Sequence, residues 1–129
     1  MFFKKRVKTY IVDGQILGDG RIVPLIEKEL FQGKFVLIPQ PVYEVIPSNN
    51  LSEEAFNTRI EENIERIKKI APGKTSIITK QLNKSELIKL AKKHNATIIT
   101  PNNDTKTAIM TDITSASAKA IKVIALTEL

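Results

Sequence analysis

The chain has no cysteine, no tryptophan and a single histidine, His94. Without cysteine there is no disulfide framework, no thiolate metal site and no cysteine nucleophile. Zinc ribbons, iron–sulfur proteins and cysteine enzymes are excluded. One imidazole rules out most histidine-based metal sites and any mechanism that needs two. Aromatic residues make up only 5% of the chain. They fall mostly at apolar core positions, so an aromatic platform for stacking single-stranded bases is not expected. No apolar run approaches the roughly 18–20 residues that a membrane span needs. The opening Met1-Phe2-Phe3-Lys4-Lys5-Arg6 puts apolar residues before basic ones, the reverse of a signal peptide. These absences together predict a cytoplasmic protein with no membrane partner.

What is present is length and positive charge. The 129 residues carry 20 Lys and Arg against 14 Asp and Glu, a formal net charge of +6. The length predicts one domain over residues 1–129 with an unassisted core. A pI near 9.6 points to a polyanionic partner, RNA or a ribonucleoprotein. The same excess of charge also suits ordinary solubility.

Apolar patterning predicts strands over Val7–Asp13, Phe35–Ile38, Thr75–Thr79, Thr97–Thr100 and Ile121–Leu126. Between them lie helical patterns. Arg21–Phe31 keeps Ile22, Leu25, Ile26 and Leu30 on one side, and Gly33 stops it. Gln40–Ile46 reads as one or two helical turns. Ser52 caps the longest helix, Glu53–Ile70, whose stripe is Phe56, Ile60, Ile64, Ile67 and Ile70. Ser85 is the expected cap of a helix over Glu86–His94. The Thr/Ser/Ala-rich stretch from Asp104 to about Ala120 is partly helical. Strands alternate with helices, and the strand runs are continuously apolar. That is the pattern of a three-layer α/β domain whose mostly parallel sheet is covered on both faces.

In such sheets ligands bind outside the carboxyl ends of the strands. Asp13 closes the first strand, Glu44 follows the second, and Thr100-Pro101-Asn102-Asn103-Asp104 follows the fourth. Carboxylates gathered there suit Mg²⁺ or Mn²⁺, which activate water and stabilise the leaving oxygen in phosphodiester cleavage. Helix capping is the alternative use of the same residues. Gly14, Gly18 and Gly20 lack the spacing of a dinucleotide fingerprint. His94, at a helix end, reads as a dipole cap. Arg21, beside Asp19, forms a structural pair or reaches a phosphate. Lys4, Lys5, Arg6 and Lys8 form a basic arm, and Lys80, Lys84, Lys89, Lys92 and Lys93 cluster around the late helix. Each set is either an RNA contact or a solvated surface.

The stretch Tyr10-Ile11-Val12-Asp13-Gly14-Gln15-Ile16-Leu17-Gly18-Asp19-Gly20-Arg21-Ile22 resembles the opening of a PIN domain. Phe35-Val36-Leu37-Ile38-Pro39, then Val42-Tyr43-Glu44, is similar to that family's second strand, its proline and its second acidic residue. Residues 87–92, 96–100 and 121–129 are similar to its late helix and last two strands. The resemblance implies a metal-dependent endoribonuclease fold with about five strands, four acidic residues around Mg²⁺ or Mn²⁺, and a tendency to dimerise. Carried over by position, the first acid is Asp13 and the second Glu44. The third position holds Lys84, the fourth Asn102, and Gly14-Gln15 replaces the usual small hydroxyl residue. A cation in place of a carboxylate repels a metal and offers Asp13 or Glu44 an ion pair instead. Asp104, two residues past Asn102, is the acid that could restore the site. Three readings follow. The favoured one is a degenerate PIN-like domain that binds RNA or a ribonucleoprotein. The others are an endoribonuclease using Asp13, Glu44 and Asp104 with metal also on Asn102, and a homodimerising or docking subunit without RNA affinity.

Overall fold

In chain order, Thr9–Asp13 (β1) leads into two six-residue helices, Gly14–Asp19 (α1) and Ile22–Glu27 (α2), and then Lys34–Ile38 (β2). Glu53–Ile70 (α3) precedes Thr75–Ile77 (β3), and Lys84–His94 (α4) precedes Thr97–Thr100 (β4). Asn103–Ser115 (α5) and Lys122–Ala125 (β5) follow, closed by a 3-10 turn over Leu126–Glu128. This computed structural model describes residues 7–43, 52–116 and 121–129.

The five strands form one sheet in the order β3-β2-β1-β4-β5, with every pair parallel. The expected α/β layering is therefore present. Apart from the short edge strand β3, whose Ile77 is exposed, the strands divide their apolar residues between two cores. Tyr10, Val12, Phe35, Leu37 and Ile99 face one side and pack against Ile16, Ile22, Ile60, Ile64 and Ile67 of α1, α2 and α3. Ile11, Val36, Ile38, Ile98 and Val123 face the other side, against Leu87, Ile88, Ile109 and Ile113 of α4 and α5. Burial on both faces is why the strand sequences show no polar alternation.

Local chemistry sets the element ends. Ser52 Oγ accepts from the Ala55 N–H at 3.1 Å, and α3 spans the expected residues. For α4 the cap is Asn83, not Ser85. Asn83 Oδ1 accepts from the Glu86 N–H (2.8 Å), and Glu86 Oε1 accepts from the Asn83 N–H (3.2 Å). This reciprocal box starts the helix at Lys84. The expected helix over Arg21–Phe31 is shorter. Glu29 takes φ 62°, the Leu30 N–H reaches back to the Leu25 carbonyl, and Leu30 is left exposed. Within Gln40–Ile46, residues up to Tyr43 form bends rather than a helix, and residues 44–46 lie outside the described residues. The stretch from Asp104 is a regular helix to Ser115, with Thr105, Ile109 and Ile113 as its buried stripe. Residues 117–120 lie outside the described residues.

Helix α1 has no counterpart in the sequence reading. It is held down by close approach. A Cβ on Gly18 would sit 2.2 Å from the Phe56 ring of α3, and one on Gly14 would sit 2.3 Å from the Pro39 carbonyl oxygen. The buried Asn63 of α3 donates from Nδ2 to the Leu17 carbonyl at 2.5 Å. Replacing Asn63 by Leu strands that carbonyl, and the expected loss is about 1–3 kcal/mol in urea unfolding. Gly18→Ala forces α1 off Phe56, an overpacking cost of roughly 1–3 kcal/mol by the same measurement.

Candidate functional site

The chain leaves β1 outward through β2 and β3, then returns to place β4 on the other side of β1. The reversal puts a switch point between β1 and β4, whose carboxyl edge is the expected ligand crevice. Asp13 ends β1 there, and Thr100 ends β4.

Both carboxylate oxygens of Asp13 have partners. Oδ1 accepts from the Gln15 N–H at 3.1 Å, capping α1, and Oδ2 accepts from the Val42 N–H at 3.2 Å. Asp13 thus ties β1, α1 and the segment after β2 together. Desolvation dominates its acidity and lifts its pKa to about 6, against the opposing pull of backbone N–H groups from Val42, Ile16, Gln15 and Tyr43.

The facing side is equally occupied. Thr100 Oγ1 donates toward the Ile124 and Asn102 carbonyls, at 3.1 and 3.3 Å. Asn102 Oδ1 accepts from the Thr105 N–H at 2.9 Å and so caps α5. Arg21 Nε donates to Asp19 Oδ1 at 2.6 Å while its guanidinium also reaches the Pro101 carbonyl at 3.2 Å. The expected Asp19–Arg21 pair therefore forms, and it also fastens the α1–α2 turn to the loop after β4. Tyr43 OH donates to Asp112 Oδ2 of α5 at 2.6 Å, and burial together with this carboxylate pushes the phenol pKa up. Lys84 is exposed, with Nζ 5.0 Å from the centre of the Tyr43 ring. Asp104 is exposed in the first turn of α5.

What remains between these groups is a cavity of about 10 Å³, lined by Asp13, Gln15, Tyr43, Leu87, Thr100 and Thr105 among others. That volume holds one water molecule. The Gln15 side chain is buried beside it, and neither its Nε2 nor its Oε1 has a partner among the described residues. In the sequence Gln15 stands out only as part of the Gly14-Gln15 replacement after Asp13, and its burial beside the cavity carries no local signal. Tyr43 with Asp112 was missed as well, because the two are distant in sequence.

These residues fit a divalent metal poorly. Mg²⁺ and Mn²⁺ need carboxylate oxygens that are ionised and available. Both Asp13 oxygens accept backbone N–H bonds, and Asn102 has committed its side-chain oxygen to capping α5. No group of three or more Asp, Glu or His able to hold a metal occurs among the described residues. Glu44 lies outside them.

The two basic sets are arranged differently from one another. Lys4, Lys5 and Arg6 lie outside the described residues. Lys8 immediately precedes β1, at the edge opposite Asp13, and lines a groove with His94 and Lys122. Lys92 and Lys93 occupy the last turn of α4, at that same edge, and Lys89 is exposed along the helix. Lys84, at the start of α4, belongs to the carboxyl edge.

Compared with known proteins, the chain matches no family model and no curated sequence. None of the described helices is long and apolar enough to cross a membrane.

Two outcomes are expected. The raised pKa of Asp13 means the folded state keeps a proton that the unfolded chain has released between about pH 4 and pH 6. Stability therefore falls with rising pH across that window and levels off above it, with an Asp13 contribution of roughly 1–3 kcal/mol. Urea titrations in EDTA should show this slope, and Asp13→Asn should lack it. Tyr43→Phe removes the bond to Asp112 and should cost about 1–3 kcal/mol in the same assay.

Proposed function

We propose that this chain is a PIN-like domain that binds RNA or a ribonucleoprotein and has lost metal-dependent cleavage. The observation that carries the proposal is the use made of the carboxyl edge at the switch point. Asp13, Asn102, Arg21 and Tyr43 there cap helices or bridge loops, while the buried Gln15 amide has no partner among the described residues. Asp13 holds two backbone amides, Asn102 caps α5, and Lys84 stands over Tyr43 where the resemblance puts a third acid. The alternating parallel architecture supports the resemblance. The net charge of +6 supports a polyanionic partner, because lysine and arginine release counterions from nucleic acid.

The test is incubation of the purified protein with mixed-sequence single-stranded RNA, in Mn²⁺ or in EDTA, beside an Asp13→Asn control. RNA should stay intact in every lane, and a gel shift should weaken steeply between 50 and about 200 mM salt. Metal-dependent cleavage that disappears in Asp13→Asn would overturn degeneracy and establish the endoribonuclease reading. A stable oligomer with no shift at any salt would establish the protein-interaction reading.

A further inference from the structure

We propose that the amino-terminal edge of the sheet, opposite the Asp13 crevice, is the surface along which the phosphates of a single-stranded RNA lie. This deepens the RNA-binding proposal and rests on it.

The register creates the surface. Tyr10, Thr97 and Lys122 are aligned across β1, β4 and β5. Val7, Lys8 and Thr9 thus run past the first residue of β4 by about 10 Å, at 3.3 Å per residue. The start of β4 is therefore recessed beside β1, and β5 begins level with β4 at Lys122. The resulting groove is lined by residues 7–10 and 94–97 with Lys122 and Ile124, and its volume is about 740 Å³. The Asp13 cavity holds about 10 Å³. Among the described residues, the amino edge has room for nucleotides, and the crevice has room for a water.

Charge separates the edges more sharply. Lys8, His94 and Lys122 line the groove, and no acidic residue does. Lys34 pairs in register with Thr9, and its N–H donates to the Lys8 carbonyl at 2.8 Å, so the two lysines are neighbours. Lys74 directly precedes β3, and Lys92 and Lys93 end α4 on the same side. None of these lysines forms an ion pair among the described residues. At the carboxyl edge Arg21 pairs with Asp19, Lys80 with Glu86, and Lys106 with Glu128. A cation already held by a carboxylate gives up that pair to meet a phosphate. An unpaired lysine gives up only its counterion, so the amino edge is where phosphate contact yields the larger gain. Tyr10 is buried, leaving no aromatic face in the groove for base stacking. Recognition through lysines, with Thr9, Asn95 and Thr97 as supporting hydrogen-bond groups, reads the phosphate backbone and tolerates any sequence.

The experiment compares two double variants that remove equal charge from exposed or partly exposed positions. One is Lys8→Ala/Lys122→Ala, and the other is Lys80→Ala/Lys106→Ala. Fluorescence anisotropy with a labelled mixed-sequence 12-nucleotide RNA is followed over a salt series, with thermal melts to confirm folding. The amino-edge variant should lose about tenfold in affinity at low salt, with a salt dependence shallower by about 1–2 in log–log slope, while the carboxyl-edge variant changes less than about threefold. Equal losses, or a larger loss in Lys80→Ala/Lys106→Ala, would overturn the edge assignment and leave RNA binding standing. Absence of binding by the unaltered protein at low salt would overturn both. Displacement of the RNA by polyglutamate of equal charge as efficiently as by unlabelled RNA would overturn RNA as the occupant, in favour of an acidic protein segment.

Discussion

Strand β1 is hydrogen-bonded on both sides, to β2 and to β4, and the chain reaches those neighbours by opposite routes. Because all five strands are parallel, every connection must cross from the carboxyl edge back to the amino edge. Helices therefore cover both faces, and polar side chains gather at two edges that never mix. The carboxyl edge receives the turns that start α1, α4 and α5, and with them the capping residues Asp13, Asn83 and Asn102. The amino edge receives the helix ends, where lysines complement the negative dipole of α4.

Capping and catalysis compete for the same atoms at the carboxyl edge. A carboxylate that accepts two backbone N–H bonds is structurally valuable, and it is correspondingly less available to a cation. Asp13 is placed where a ligand-binding acid belongs, but its oxygens hold α1 and the segment after β2 in place. The raised pKa of Asp13 shows that these bonds do not recover the full cost of its desolvation. Tyr43 with Asp112, and Arg21 with Pro101, draw the surrounding loops inward, and the cavity lined by described residues has space for one water. Gly14 belongs to the same arrangement, since any side chain there would push the Pro39 loop away.

The legible parts of the fold were those with long periodic runs and local chemistry. Helix α3 follows its i, i+3/i+4 stripe and its Ser52 cap to the residue, and all five apolar runs form strands, with β1 starting at Thr9 and β3 ending at Ile77. Short elements were not legible. Six residues cannot display a helical period, so α1 was invisible, and its evidence lies in Gly18 meeting Phe56 and Asn63 meeting Leu17. The cap of α4 was placed two residues late because Ser85 satisfies the local rule. Asn83 wins through the reciprocal bond from Glu86. In α5 the stripe begins with a buried threonine, which a count of apolar residues passes over.

The sequence by itself determined the layer class, the positive charge, the helix α3 and the placing of Asp13 at a strand end. Each follows from composition or from near neighbours in the chain. Only the tertiary structure decided what Asp13 does, because Val42 comes to its carboxylate from 29 positions away. It also decided which lysines share a surface. Lys8 and Lys122 are separated by nearly the whole chain, and parallel pairing through β4 brings them to one groove. Lys84 and Lys93 are on one helix, and the helix axis carries them to opposite edges.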